Sequence, residues 1–146
     1  MVKYTQGDVL SGHEDIIAHG CNCKGGYGSG VAGAIATKYP RARRYYLDKY
    51  DEDGWKLGEV QFVPQWNGKI IANCATQLDF GLPGLVLADY EAIKQAMTKV
   101  KQYAHDNRLT LAIPKIGAGL AGGDWNTIEN ILNEVFSDYD VTVYYL

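Results

Sequence analysis

The sequence predicts an α/β sandwich organised around a mostly parallel sheet. Three observations predict it. Apolar runs of strand length alternate with stretches whose apolar residues recur at helical spacing. A hairpin signal, Asn67-Gly68, sits between two of the strands and makes the sheet mixed. The glycines, 17 in 146 residues, bunch in two places where a strand gives way to a helix.

Taken in order, Val2–Gln6 reads as a short strand. Asp15–Cys21 (DIIAHGC) is an apolar run of strand length that ends in glycine-rich sequence. In Ser29–Tyr39, Val31, Ala34, Ile35 and Lys38 fall at helical spacing, and Pro40 stops that helix or restarts a second one over Arg41–Tyr50. Glu59–Pro64 alternates Val60, Phe62 and Pro64 with polar neighbours, and after Asn67-Gly68 the chain returns through a strand at Lys69–Cys74. Ala88–Asn107 is the longest helix, with Ile93, Met97, Val100 and Ala104 on one face. Leu109–Pro114 is a strand, Asp124–Phe136 a helix, and Val141–Tyr145 a closing strand rich in β-branched and aromatic residues. With no repeat, low-complexity tract or linker, residues 1–146 read as a single domain.

Composition bounds the function. A chain this long buries roughly two-thirds of its unfolded surface and needs no disulfide or metal to hold it. Three cysteines, an odd number, argue against a disulfide framework and for a reducing, cytoplasmic setting. No stretch approaches the roughly 18 apolar residues of a membrane span. The net charge of −3 argues against a dedicated binder of phosphate backbones. The local basic stretch Lys38, Arg41, Arg43, Arg44 and Lys49 is followed at once by Asp51, Glu52 and Asp53, which fits a solvated helix face.

The chemistry points to the two glycine loops. The first is Cys21-Asn22-Cys23-Lys24-Gly25-Gly26-Tyr27-Gly28-Ser29-Gly30. The second is Gly117-Ala118-Gly119-Leu120-Ala121-Gly122-Gly123. Each leaves a strand and opens a helix, at the place where α/β sheets bind ligands. Glycine there lets backbone N–H groups approach an anion, and the helix behind adds partial positive charge. A single loop of this kind equally serves turns or close packing. Two at equivalent places suit the two phosphates of a diphosphate. A dinucleotide-binding reading of Gly117, Gly119 and Gly122 lacks its acidic ribose partner, because the next strand ends in Tyr144-Tyr145-Leu146. No P-loop motif occurs.

The order of Gly7-Asp8-Val9-Leu10, Ile17-Ala18-His19-Gly20-Cys21-Asn22, Gly28-Ser29-Gly30-Val31-Ala32 and Ile113-Pro114-Lys115-Ile116-Gly117-Ala118-Gly119-Leu120 resembles a macrodomain over essentially the whole chain. His19–Ala32 looks most like the yeast-type ADP-ribose 1″-phosphate phosphatases and their bacterial and phage relatives. The resemblance implies a three-layer α/β/α domain that binds ADP-ribose in a cleft. It implies that Asp8 accepts from the adenine amino group, with the Val9 backbone at a ring nitrogen. Asn22 would hold the distal ribose, and Gly28, Gly30 and Val31 would line that ribose and the diphosphate. Gly117, Ala118, Gly119 and Leu120 would clasp the phosphates from the other side. Tyr144 or Leu146 would pack on the adenine.

Among reactive groups, His19 precedes the first loop, and a near-neutral imidazole suits proton transfer; a satisfied core histidine is the alternative. Asp124 either caps its helix or takes part in catalysis. His13 and His105 read as surface residues, Trp125 as packing, and Lys24 as a phosphate contact or a solvated lysine. Cys21 and Cys23 read as small buried residues, and with Cys74 they lack zinc-ligand spacing. The branch that cleaves ADP-ribose from glutamate carries a lysine and an aspartate where this chain has Ala75-Thr76-Gln77 and Ala121. The mono-ADP-ribosyl hydrolase branch has Asn-Ala-Ala-Asn where this chain has His19-Gly20-Cys21-Asn22. The expectation is therefore a monomeric phosphatase for ADP-ribose 1″-phosphate, with His19, Asn22 and Asp124 as its catalytic residues and no cofactor or metal. The alternatives are a hydrolase of ADP-ribosyl groups on protein or nucleic acid, and a non-catalytic ADP-ribose reader.

Overall fold

A computed structural model gives the fold and describes residues 1–79, 86–119 and 121–146. Its strands are β1 (Val2–Gln6), β2 (Ile16–Asn22), β3 (Val60–Pro64), β4 (Ile70–Gln77), β5 (Leu111–Pro114) and β6 (Val141–Tyr145). Its helices are α1 (Gly30–Lys38), α2 (Pro40–Glu52), α3 (Tyr90–Asn107) and α4 (Trp125–Val135). The strands form one sheet in the order β1-β6-β5-β2-β4-β3. Every neighbouring pair is parallel except β3 with β4, the hairpin through Asn67-Gly68.

Both faces of the sheet are covered, which is why its inner strands read as unbroken apolar runs. Alternate residues feed two separate cores. Ile16, Ala18, Ala72, Cys74, Leu111, Ile113, Val141 and Val143 pack against α3 and α4. Ile17, Cys21, Ile71, Ala75 and Ala112 pack with Ile35 of α1 and Ala42 and Tyr46 of α2. The result is an α/β/α stack of three layers.

The parallel directions put the carboxyl ends of β1, β6, β5, β2 and β4 along one edge. After β2 the chain winds through α1 and α2 towards β3 and β4; after β5 it winds the other way, to β6. The reversal therefore falls between β2 and β5, where α/β sheets open a crevice. Their ladder is only two pairs long, Ile16 with Leu111 and Ile17 with Ala112, although both strands continue. The two glycine loops leave the sheet on either side of that gap.

Most element bounds shift by one or two residues from the sequence reading, the strand expected from Leu109 beginning at Leu111, and three details bear on the architecture. The strand expected over Lys69–Cys74 runs on to Gln77, which carries Thr76 and Gln77 to the crevice edge. The helix expected from Ala88 begins at Tyr90, because the Asp89 carboxylate accepts from the Ala92 N–H at 2.9 Å and caps it. A short 3₁₀ turn, Val9–Ser11, follows β1 and is held by Asp8 Oδ1, which accepts from the Leu10 N–H at 2.9 Å.

Within the second loop the glycines are not equivalent. A Cβ at Gly123 would lie 2.5 Å from the Gly117 carbonyl oxygen, whereas a Cβ at Gly119 would meet nothing within 4 Å. Gly123→Ala should therefore cost about 2 kcal/mol through forced backbone movement. Gly119→Ala should stay within about 0.5 kcal/mol of the parent. Urea denaturation midpoints of the two variants check this; equal midpoints would contradict it.

Candidate functional site

The crevice is a cleft of about 1300 Å³ that crosses the carboxyl edge of the sheet. At one end, at the carboxyl ends of β1 and β6, stand Asp8, Val9, Tyr144 and Leu146. In the middle Gly28, Gly30 and Val31 face Gly117, Ala118 and Gly119. At the far end, in the last residues of β4, lie Thr76 and Gln77. The structure thus brings together the ligand-binding residues expected from sequence, except Leu120, which lies outside the described residues. Tyr27, Thr76 and Gln77 also line the cleft, and sequence reasoning had given them no role. Tyr27 has a visible signal in its place inside the first glycine loop; Thr76 and Gln77 are marked in sequence only as the place where a related branch carries a lysine.

Two glycines of the lining border open space in the cleft. A Cβ at Gly28 or at Gly119 would meet no atom within 4 Å, and neither residue has a positive φ, so backbone geometry does not demand glycine at either position. Gly117 differs. Its φ is +76°, and a Cβ there would lie 2.9 Å from Ile93 Cδ1, so it serves the turn and the core.

The helices behind the loops differ too. Ser29 makes no side-chain cap on α1, and the N–H groups of Gly30, Val31 and Ala32 have no partner among the described residues. Those donors and the helix dipole open onto the cleft. The helix after the second loop, α4, is closed: Asp124 Oδ2 accepts from the Thr127 N–H at 3.1 Å and from its hydroxyl at 2.7 Å. Those hydrogen bonds hold the Asp124 carboxyl below the usual carboxylate range. The catalytic part expected of Asp124 is corrected here, because its side chain caps α4 and does not line the cleft. Of the two helices behind the loops, only α1 has an uncapped N-terminus; from the second loop the donors are the N–H groups of Gly117 and Gly119, which lack partners among the described residues.

His19 backs the cleft floor and is only 1% exposed. Across the β2–β4 ladder it is paired with Asn73. Its Nε2 lies 2.7 Å from Asn73 Oδ1 and 2.9 Å from the Tyr27 hydroxyl, which itself donates to Asn73 Oδ1 at 2.7 Å. The Asn73 amide nitrogen donates to the Ala42 carbonyl and to Gln61 Oε1, both at 3.0 Å, so its oxygen must face the ring. An oxygen accepts only, and Nε2 therefore carries the proton. Burial depresses the imidazole pKa to about 4, against a smaller upward push from Asn73. His19 is thus a neutral donor inside a satisfied network and takes a structural place, not that of the proton carrier expected from sequence. Burial, with Cys74 nearby, also pushes the Cys21 thiol well above its ordinary range, which leaves it a poor nucleophile.

Asn22 is engaged as well. Its Oδ1 accepts from the N–H groups of Lys24 (2.9 Å) and Gly26 (3.1 Å), and its Nδ2 donates to the Gly26 carbonyl at 2.8 Å. At the opposite end, Asp8 is exposed and uses one oxygen on Leu10 N–H, while the Tyr144 hydroxyl donates to Glu14 Oε1 at 2.8 Å. Burial and the Glu14 carboxylate raise the Tyr144 phenol to about 12. Lys24 and Trp125 lie outside the lining.

With this geometry in place, comparison with known proteins identifies the family. Residues 18–132 match the Macro domain. This chain belongs to the macrodomain family. A 17.5 kDa protein of Enterobacteria phage T4 is 30% identical to this macrodomain over 98% of the chain and 95% of its own length. An ADP-ribose 1″-phosphate phosphatase of Saccharomyces cerevisiae is 27% identical over 99% of this chain and 98% of its own. A solved protein structure from Bacteroides thetaiotaomicron superposes with a TM-score of 0.89 at 31% identity, covering 100% of this chain and 98% of that one.

The buried histidine gives a pH prediction. Its folded pKa of about 4 lies below the ordinary 6.5, so the unfolded chain binds the proton more readily. The stabilisation is complete above pH 6.5 and is lost as pH falls towards 4, by about 3 kcal/mol in all. His19→Gln should remove that part of the slope. Chemical denaturation from pH 7.5 to 4 on both proteins measures it; identical slopes would place a protonatable or exposed imidazole in the fold.

Proposed function

We propose that this macrodomain binds ADP-ribose along the cleft and hydrolyses the terminal phosphate of ADP-ribose 1″-phosphate. The observation that carries the reading is the pair of facing loops. Gly28 and Gly119 leave open volume between them, and the N–H groups of Gly30, Val31, Ala32, Gly117 and Gly119 stand around it without partners among the described residues. A diphosphate supplies the acceptors that such a cradle lacks. Asp8 and Tyr144 at the β1–β6 end suit a purine with an exocyclic amino group. The distal ribose then lies towards Thr76 and Gln77, beside the start of α1.

The relatives named as phosphatases align over nearly the whole chain and support the choice of substrate. The cleft residues support a particular style of catalysis. His19 is neutral and tied up, Cys21 is protonated, and Asp124 faces away. The far end of the cleft therefore holds no evident proton carrier among the described residues. What remains is electrostatic: unpaired N–H donors at a helix N-terminus, fixed before substrate arrives, around the oxygens of a transferring phosphoryl group. A hydrolase for glutamate-linked ADP-ribose is less well served, because Thr76, Gln77 and Ala121 supply neither lysine nor aspartate.

Isothermal calorimetry should show ADP-ribose binding in the micromolar range, about −8 kcal/mol at 1 μM. Gly119→Glu should abolish it while the variant stays folded, since the carboxylate enters open space and repels the diphosphate. Wild-type affinity in the folded variant would place the ligand elsewhere. Phosphate release from ADP-ribose 1″-phosphate should exceed release of ADP-ribose from modified glutamate; the reverse order would reject the phosphatase assignment.

A further inference from the structure

We infer that Tyr46, on α2 and outside the cleft, is a positioning residue that sets the first glycine loop in its binding shape. The inference rests on the proposed reading of the cleft and deepens it. Tyr46 is fully buried, with its hydroxyl inside the turn made by residues 22–26. That hydroxyl accepts from the Gly25 N–H at 3.1 Å. It lies 2.7 Å from the Asn22 carbonyl oxygen and 2.9 Å from Asn22 Oδ1, either of which takes its single proton. A phenol offers one donor and accepts at its oxygen, so this one is fully used on a single loop.

The rest of the turn closes around the same point. The Asn22 oxygen takes the N–H groups of Lys24 and Gly26, and the Asn22 amide returns a proton to the Gly26 carbonyl. Three successive N–H groups, of Lys24, Gly25 and Gly26, are therefore satisfied inside the turn and are withheld from a ligand. The open donors are pushed downstream, to Gly30, Val31 and Ala32. The loop is pinned at its next residue too: the Tyr27 ring drops through to the His19–Asn73 network, with its centroid 5.0 Å from that of Tyr46. Tyr46 in turn stacks on Trp55 at 5.2 Å. Fixed geometry of this kind lowers the ordering cost of binding, and its loss is felt at the phosphate and distal ribose, not at the base.

Tyr46→Phe removes only the hydroxyl and keeps both ring contacts. It should weaken ADP-ribose binding about tenfold and leave binding of adenosine monophosphate, which lacks the distal ribose, within about twofold. With ADP-ribose 1″-phosphate, kcat should fall more than KM rises, because donors aimed at the terminal phosphate lose their fixed placement. A merely structural tyrosine would weaken both ligands alike or neither, and either result overturns the inference. Hydrogen exchange on the ligand-free wild type tests it without any variant. The amides of Lys24, Gly25 and Gly26 should be protected and those of Gly30, Val31 and Ala32 should not; free exchange at Gly25 overturns it even if Tyr46→Phe fails to fold. No ADP-ribose binding by the wild type would reject the function itself, whereas wild-type binding with an unaffected Tyr46→Phe would reject only the role of Tyr46.

Discussion

The short ladder between β2 and β5 is the constraint on which the rest of the molecule depends. The two strands share a two-pair ladder at their starts, and the chain winds away from them in opposite directions. Among the described residues the connections that leave these two strands therefore run to opposite sides of the gap at their carboxyl ends. Each strand must end in a loop that flanks an opening, and each loop must turn into a helix that covers a different face of the sheet. Cleft, loop placement and the two separate cores all follow from that divergence.

The loops use the opening unequally. On the first, the helix start is bare and its dipole faces the cleft; on the second, Asp124 occupies the helix start with its own negative charge. The chain carries a net charge of −3, so attraction for an anion has to be local. Leaving one helix end uncapped concentrates that attraction at one point of the cleft. The second loop then contributes shape and individual N–H groups without a competing centre.

Much of this was legible in the sequence. Strands buried on both faces give unbroken apolar runs such as Ile16-Ile17-Ala18, and glycine clusters advertise close backbone approach, so element order and cleft position could be read directly. What was hidden depends on partners far along the chain. His19 looks like a catalytic imidazole until the β2–β4 register sets Asn73 beside it. The bracing of Asn22 by Tyr46 of α2, 24 positions away, is invisible along the chain. Asp124 has the right residue type for catalysis or capping, and only the direction of its side chain separates the two. That Thr76 and Gln77 belong to β4 was hidden, because a hydrophobic run marks where a strand is buried, while backbone pairing decides where it stops.

The open volume at Gly119 also makes the cleft accessible to chemistry from outside. The native thiols of Cys21, Cys23 and Cys74 are all buried, and burial raises each of them. A single cysteine introduced at position 119 would be the exposed thiol of the protein, projecting into empty space without disturbing the turn. An environment-sensitive dye attached there would sit at the mouth of the phosphate cradle. The same vacancy thus gives the domain a natural mounting point for an optical sensor of cleft occupancy.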